Sequence, residues 1–183
     1  MAHIKVQEGV PGIRSLVMFR PETGKHLYEL AQVLLRNESP LTPAERELIA
    51  THVSNRNECR FCMNSHAAAA RELFAEEREV VDCVIHNVNT APLSQKMKAL
   101  LNIAGKVQIN GREVKPEDIA EARKHGAVDR DIHDTVLIAA AFSMYNRYVD
   151  GLATLTPTDQ KEYEAMGKRM SSLGYVLPTP NQK

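Results

Sequence analysis

The chain has 183 residues, of which 43% are hydrophobic and 25% charged, and these proportions are typical of a soluble globular protein with one main domain. Basic and acidic residues both number 23, so no net charge attracts nucleic acid or an anionic membrane surface. The N-terminus lacks a signal-peptide pattern and no window is apolar enough to span a membrane. We therefore expect a cytoplasmic protein, with neither nucleic acid nor membrane as a partner.

Hydrophobic periodicity predicts helices along nearly the whole chain. Residues 1–23 carry prolines and little pattern, which indicates an N-terminal arm leading into a first helix over 25–37. Thr42-Pro43-Ala44-Glu45 combines a capping box with proline at the first helical position, and it predicts a helix over 43–56. The next helix carries Cys59 to His66. Further helices are predicted over 79–87, 94–109, 116–124, 129–155 and 158–173. No strand is predicted, so the fold class is all-α, a single-domain helical bundle ending in a flexible tail over 175–183.

The segment Cys59-Arg60-Phe61-Cys62 is a C-x-x-C motif, and His66 follows it at helical spacing. On a helix, Cys59, Cys62 and His66 share one face. We place Cys59 in the first turn, where unpaired backbone N–H groups and the helix dipole favour a thiolate. Cys62 is close enough for the two thiols to cycle to a disulfide. His66 is a candidate general base for Cys62.

Glu47 precedes the first thiol by twelve residues. A solvent-exposed helical glutamate often has a cationic neighbour three or four positions away, and Glu47 has none. This favours a partner elsewhere in the fold, although an exposed glutamate is the simpler interpretation. A carboxylate that reaches the imidazole of His66 would orient the ring and strengthen it as a base.

A structural zinc site is the alternative interpretation of the motif. Cys59, Cys62 and His66 would then bind zinc together with His86 or Cys83, because closed zinc sites take four nitrogen or sulfur ligands. Zinc C-x-x-C pairs usually lie on turns and are followed by a second ligand pair. This pair heads a helix and no second pair follows, so we predict no metal ligands.

Other polar residues on apolar segments have simpler interpretations. His52, His86 and His133 are expected to be hydrogen-bonded core or surface histidines. Cys83 is expected to be a small buried hydrophobic residue. Asn146 follows an apolar run and is expected, with Arg147, to form a buried tie to a neighbouring helix.

The spacing of Glu47, Cys59, Cys62 and His66 resembles the E…C-x-x-C-x-x-x-H signature of the alkylhydroperoxidase D-like and carboxymuconolactone decarboxylase-like superfamily. Five further segments resemble its peroxidase-related branch: Pro-Glu-Thr at 21–23, Leu-Thr-Pro-Ala-Glu-Arg-Glu-Leu-Ile-Ala at 41–50, Ser-His-Ala-Ala-Ala-Ala at 65–70, Lys-x-Lys-Ala-Leu-Leu at 96–101 and Phe-x-x-x-Asn-Arg at 142–147. The resemblance covers roughly residues 10–155, and it identifies residues 24–174 as an alkylhydroperoxidase D-like helical domain.

This resemblance implies a thiol peroxidase without a cofactor. Cys62 would attack a hydroperoxide substrate and become a sulfenic acid, and Cys59 would resolve it as a disulfide. His66 and Glu47 would form the proton relay. An external dithiol reductant would reset the enzyme, and the chain would assemble into a homo-oligomer, a trimer or hexamer. The alkylhydroperoxidase D type carries a further histidine just before its second cysteine, and this chain has Phe61 there.

Two other functions remain open. The first is a carboxymuconolactone decarboxylase-like enzyme acting on a lactone or related carboxylate by acid–base chemistry; such enzymes typically lack the paired cysteines. The second is a zinc-stapled or oligomeric scaffold without turnover. The paired thiols favour the peroxidase over the decarboxylase, and the lack of a second ligand pair favours it over the zinc scaffold.

Overall fold

The structure, a computed structural model, describes residues 1–177, and every regular element in that range is helical. The all-α class is therefore confirmed. The α-helices are α1 (Gly12–Phe19), α2 (Pro21–Arg36), α3 (Pro43–Arg56), α4 (Arg60–Phe74), α5 (Glu79–His86), α6 (Gln95–Ile109), α7 (Pro116–Lys124), α8 (Asp129–Gly151) and α9 (Gln160–Leu173). Short 3-10 turns lie at Ala75–Glu77 and Gly111–Glu113. No helix among the described residues is long and apolar enough to cross a membrane.

Helices whose first residues carry strong local signals begin where the sequence predicts. Thr42 accepts a hydrogen bond from the backbone of Glu45, and the Glu45 side chain accepts one from the backbone of Thr42, which forms the predicted capping box of α3. Helix α8 ends at Gly151, four residues earlier than predicted. Its end coincides with a turn in which Ala153 has a φ of 48°.

The structure differs from the prediction of an arm over residues 1–23, because this segment contains α1 and the first turn of α2. Pro11 is the N-cap of α1, and Pro21 is the first residue of α2. Proline is well tolerated at helix starts, where its missing N–H would have no partner inside the helix. The two prolines therefore begin helices here and do not interrupt them. The predicted tail lies outside the described residues from 178 onward.

Helix α4 packs between α3 and α9. The contact with α9 is close, because a Cβ atom added at Gly167 would lie 2.7 Å from the backbone of Ala68. Helices α3, α6 and α8 form the main apolar core, with fully buried residues such as Leu48, Leu101 and Ile138. The C-x-x-C segment lies in a second, smaller cluster with Val149 and Tyr163. The packing holds α4 rigidly on both sides and so fixes the side chains on its first two turns.

Candidate active site

The two cysteines occupy different positions at the start of α4. Cys59 is the N-cap and Cys62 is the third helical residue. The prediction that Cys59 lies in the first helical turn is therefore wrong by one position. It is Cys62 that lies in the turn whose backbone N–H groups lack helical partners. The start of α4 is shifted because Glu58 has a φ of 58° and turns the chain between α3 and α4.

The Cys59 sulfur is held as a thiol. Both cysteines are free, and Cys59 is fully buried. A hydrogen bond to the Cys62 side chain, burial and the proximity of Cys62 raise the pKa of Cys59, and a hydrogen bond to Asp150 adds to the rise. The expectation of a favoured thiolate at Cys59 is thus not met. Because Cys59 keeps its proton beside Cys62, it can donate a hydrogen bond to a Cys62 thiolate.

The turn that presents Cys59 is tied to two helices. The backbone N–H of Cys59 donates to the carbonyl oxygen of Ser54 at 3.0 Å. The Asn146 side chain, buried on α8, donates to Ser54 Oγ at 3.0 Å and accepts from Asn57 Nδ2 at 2.8 Å. The predicted tie to a neighbouring helix is therefore present for Asn146. Arg147 is exposed and donates to the carbonyl oxygen of Ser143, one turn earlier on the same helix.

Glu47 and His66 are in direct contact. His66 Nδ1 lies 2.7 Å from Glu47 Oε2, Glu47 is fully buried, and the His66 residue is 8% exposed. This contact links α3 to α4, two helices that pack against each other along their length. The contact between these two side chains, which the sequence predicts, is therefore present in the structure. Their catalytic roles stay predictions.

Two residues that the sequence does not single out complete this cluster. The Arg36 guanidinium donates to Glu47 Oε1 at 2.6 Å, and the Tyr175 hydroxyl donates to the same oxygen at 2.6 Å. The Tyr175 hydroxyl oxygen also lies 3.2 Å from His66 Nδ1, and Arg36 stacks over the Tyr175 ring at 5.1 Å. Arg36 ends α2, and Tyr175 lies in the segment predicted as a tail. We call Arg36, Glu47, His66 and Tyr175 the carboxylate cluster.

The cluster fixes the charge of Glu47 and the tautomer of His66. Burial raises the pKa of Glu47, but the charge and hydrogen bond of His66, with Arg36 and Tyr175, outweigh it and leave the pKa below its usual value. Glu47 is therefore a carboxylate near neutral pH and can only accept hydrogen bonds. Nδ1 of His66 must carry the proton that it shares with Glu47. Nε2 is then the nitrogen that can accept a proton when the ring is neutral.

A cavity of about 90 Å³ adjoins this cluster. Cys62, Ser65 and His66 from α4 form one part of its wall, and Tyr175 forms another. The remaining wall comes from α1, α2, α8 and α9 and is mainly apolar; its residues are Ile13, Arg14, Leu27, Tyr28, Ala31, Phe61, Phe142, Tyr145, Met166, Arg169 and Met170. Cys59 is not among the lining residues. The cavity therefore gives a ligand access to Cys62 and His66 but not to Cys59.

Phe61 occupies the position where the alkylhydroperoxidase D type has a histidine. Its ring is 4% exposed, lines the cavity and packs against Tyr163 with 6.4 Å between ring centroids. It cannot transfer a proton, so any proton transfer at this cavity falls to the remaining polar groups. Phe61 instead makes the wall beside Cys62 apolar.

The zinc alternative finds no support in the arrangement of these side chains. Within residues 1–177, no three His, Cys, Asp or Glu side chains are grouped so that they could hold a metal ion. His86, proposed as a fourth ligand, is exposed on α5, and Cys83 is half-buried against the main core. His133 is an exposed residue that contacts Asp134.

Comparison with known proteins supports the resemblance drawn from the motif. The family model of the carboxymuconolactone decarboxylase family matches residues 21–106. None of the curated proteins matches the sequence. Solved structures do match it.

An uncharacterised peroxidase-related protein from Silicibacter sp. TM1040 is 30% identical with a TM-score of 0.76, over 86% of this chain and 81% of its own. An uncharacterised peroxidase-related protein from Ralstonia eutropha JMP134, described as an alkylhydroperoxidase AhpD core, is 28% identical with a TM-score of 0.77, over 87% and 82%. A protein of unknown function from Agrobacterium tumefaciens, suggested to be an AhpD antioxidant defence protein, shares the fold at 17% identity and a TM-score of 0.69, over 87% and 100%.

The fold, the motif and these matches define a helical protein of the peroxidase-related type. The chain belongs to the alkylhydroperoxidase D-like and carboxymuconolactone decarboxylase-like superfamily.

Proposed function

We propose that the protein is a thiol-dependent hydroperoxide reductase in which Cys62 is the attacking sulfur. One observation carries the proposal: Cys62 and His66 line the same apolar cavity, and His66 is bound to a buried carboxylate. A nucleophile, a base and a group that orients the base are the parts that nucleophilic catalysis requires. The peroxidase-related descriptions of two similar structures support a peroxidase-type function in general.

In the first step the Cys62 thiolate attacks the terminal oxygen of the hydroperoxide. An S–O bond forms, the O–O bond breaks, and the departing alkoxide takes a proton to leave as an alcohol. His66, having taken the proton of the Cys62 thiol, supplies it through Nε2. Glu47 stabilises the imidazolium in between, because its carboxylate is 2.7 Å from Nδ1. Cys62 is now a sulfenic acid.

In the second step the Cys59 sulfur attacks Cys62 Sγ. An S–S bond forms, the S–O bond breaks, and the hydroxyl leaves as water with the proton that Cys59 gives up. The raised pKa of Cys59 suits this order, because Cys59 keeps its proton until the first step is complete. A dithiol reductant then returns both cysteines to thiols by disulfide exchange. The sum is one hydroperoxide and one external dithiol converted to alcohol, water and an external disulfide.

Mass spectrometry of the thiol state, before and after sub-stoichiometric cumene hydroperoxide, tests this proposal. We expect a reversible Cys59–Cys62 disulfide in the wild type and a trapped Cys62 sulfenic acid in Cys59→Ser. Cys62→Ser should lose peroxide reduction, and Cys83→Ser, the matched control at the third cysteine, should retain it. Unmodified Cys59 and Cys62 at neutral pH after exposure to peroxide would contradict the proposal.

An acid–base enzyme of the decarboxylase type is the second candidate, and the match to that family model favours it. The Glu47 and His66 pair could serve such chemistry without the thiols. Turnover of a lactone that persists after both cysteines are alkylated would establish this candidate in place of the peroxidase.

We also propose a homo-oligomer built in part on α8. Leu137 and Met144 lie two helical turns apart on this helix and are 38% and 45% exposed. Burying both against another copy would remove an apolar patch from water. Light scattering should give a mass that is a multiple of 20.4 kDa, and a monomer mass would rule the assembly out.

A further inference from the structure

The cavity beside Cys62 contains a charge pattern that a purely apolar substrate would not need. Its wall is mainly apolar, yet two arginines line it, Arg14 from α1 and Arg169 from α9. Among the described residues, none that lines the cavity is an aspartate or glutamate. The wall therefore combines an apolar surface with positive charge.

The two guanidinium groups act on the same part of the wall. Tyr28, a buried residue of α2, also lines the cavity. Burial raises the pKa of Tyr28, and the positive charges of Arg169 and Arg14 counteract part of that rise. Both cations are thus near the Tyr28 side chain, and they form one region of positive potential.

Arg169 differs in its pairing from the half-buried Arg36. Arg36 is matched by the Glu47 carboxylate at 2.6 Å. Arg169 donates to the backbone carbonyl oxygen of Val176 at 3.1 Å, and among residues 1–177 it has no carboxylate within ion-pair distance. A guanidinium has five N–H donors, so this single bond leaves Arg169 with donors for a ligand.

We infer that the substrate is an organic hydroperoxide that carries a carboxylate, with its apolar body on the cavity wall, its peroxide group at Cys62 and its carboxylate at Arg169 and Arg14. This inference rests on the proposed function and specifies its substrate class. A carboxylate matches the planar fork of a guanidinium and can accept two parallel hydrogen bonds from it. The surrounding apolar wall strengthens that attraction, because it excludes water from around the charges.

The experiment compares each acid with its own methyl ester. The probes are para-carboxylated cumene hydroperoxide and linoleate hydroperoxide, each assayed beside the ester for kcat/KM in peroxide reduction. The ester keeps the apolar body and the peroxide and removes only the charge. We expect the wild type to prefer both acids, and Arg169→Gln to lower kcat/KM for the acids roughly tenfold while leaving the esters unchanged. The double variant Arg14→Gln, Arg169→Gln should remove the preference entirely.

Arg147→Gln is the matched control, because Arg147 is exposed on α8 and does not line the cavity. It should leave the rates for acid and ester unchanged. Equal rates for acid and ester in the wild type, or an equal loss of both in Arg169→Gln, would overturn the inference.

A binding measurement separates this inference from the proposed function. para-Isopropylbenzoate and its methyl ester lack the peroxide group, so calorimetric binding to the reduced protein requires no turnover. Tighter binding of the acid, lost in Arg169→Gln, would support the carboxylate site even if no hydroperoxide is reduced. Equal binding of acid and ester would reject the site even if neutral hydroperoxides are reduced quickly.

Discussion

Two buried histidines of this protein have opposite surroundings. His66 on α4 and His52 on α3 are nearly equally buried, at 8% and 7% exposed. His66 shares a proton with the Glu47 carboxylate, whereas Nδ1 of His52 has no hydrogen-bond partner among the described residues. Burial lowers the pKa of His52 to about 4, and the positive charge of Arg56 adds to the effect.

The comparison shows that burial alone does not make a histidine a base. Burial favours the neutral ring because it removes the water that would solvate an imidazolium. Near His52, within residues 1–177, one hydrogen bond to the backbone of Leu101 opposes that effect. Near His66 a buried carboxylate stabilises the imidazolium and sets the tautomer. The proposed proton relay therefore involves His66 and not His52.

Exchanging each histidine for glutamine should give the largest difference between the two sites. His66→Gln removes the proposed proton acceptor, and we expect the rate of Cys62 oxidation by cumene hydroperoxide to fall by about 10²- to 10⁴-fold. The oxidation rate of Cys62 in His52→Gln should stay within about threefold of the wild-type rate. His52 does not line the Cys62 cavity and does not belong to the carboxylate cluster. Stopped-flow rates on reduced protein measure both. Equal losses of rate in the two variants would mean that His66 affects the reaction only by stabilising the fold.

Removing the charge of Glu47 should have the largest effect on stability. Glu47→Gln leaves the half-buried Arg36 cation without its fully buried carboxylate partner, and breaking a buried pair typically costs about 3–5 kcal/mol in the free energy of unfolding. Urea unfolding at neutral pH measures it. The control is Glu121→Gln, which removes an exposed carboxylate paired with His125 and should leave the free energy of unfolding nearly unchanged. Similar losses in both variants would show that Glu47 is not paired inside the protein.

The pH dependence of folding stability should reveal the lowered pKa of His52. Its pKa is lower in the folded state, so below its usual value of 6.5 the unfolded chain binds a proton that the folded protein does not. Stability should therefore fall as pH decreases from 6.5 to about 4. The loss from this residue is about 3 kcal/mol, because each pKa unit is worth ~1.4 kcal/mol. In His52→Gln this part of the loss should be absent. Parallel curves for the two proteins in urea would contradict the assignment.

The parts of this molecule that were predictable from sequence depend on local signals. The limits of α3 follow from Thr42 and its capping box, and those of α7 from Pro116 and the glycine after His125. These helix limits need only a few neighbouring residues to be recognised. The pairing of Glu47 with His66 is not local, since 19 residues separate them, and it was predictable only through the resemblance to the family motif.

The features of the site that could not be predicted depend on contacts between residues far apart in the chain. Tyr175 meets Glu47 across 128 residues, and it lies after α9 in a segment without periodicity. Arg36 is an ordinary helix-terminal arginine in sequence, since that position favours a positive charge in any helix. The position of Cys59 was missed by one residue because Glu58 adopts a positive φ that its side chain does not indicate.

Tyr175→Phe gives the finest test of how the surroundings of His66 differ from those of His52. The variant keeps the ring that stacks on His66 with centroids 6.0 Å apart, and it removes only the hydroxyl that donates to Glu47 Oε1. The pKa of Glu47 should rise, since this hydrogen bond helps to hold it down. We expect kcat/KM for peroxide reduction to fall about fivefold at neutral pH, with the acid limb of its pH profile moved to higher pH.

Tyr163→Phe is the control, because it removes a buried hydroxyl that donates to the carbonyl oxygen of Pro157 and does not contact the carboxylate cluster. It should lower stability slightly and leave the pH profile in place. A profile that moves in neither variant would show that Tyr175 packs against His66 without setting the protonation of the carboxylate cluster. A shift confined to Tyr175→Phe would show that the segment after α9 takes part in making His66 a base.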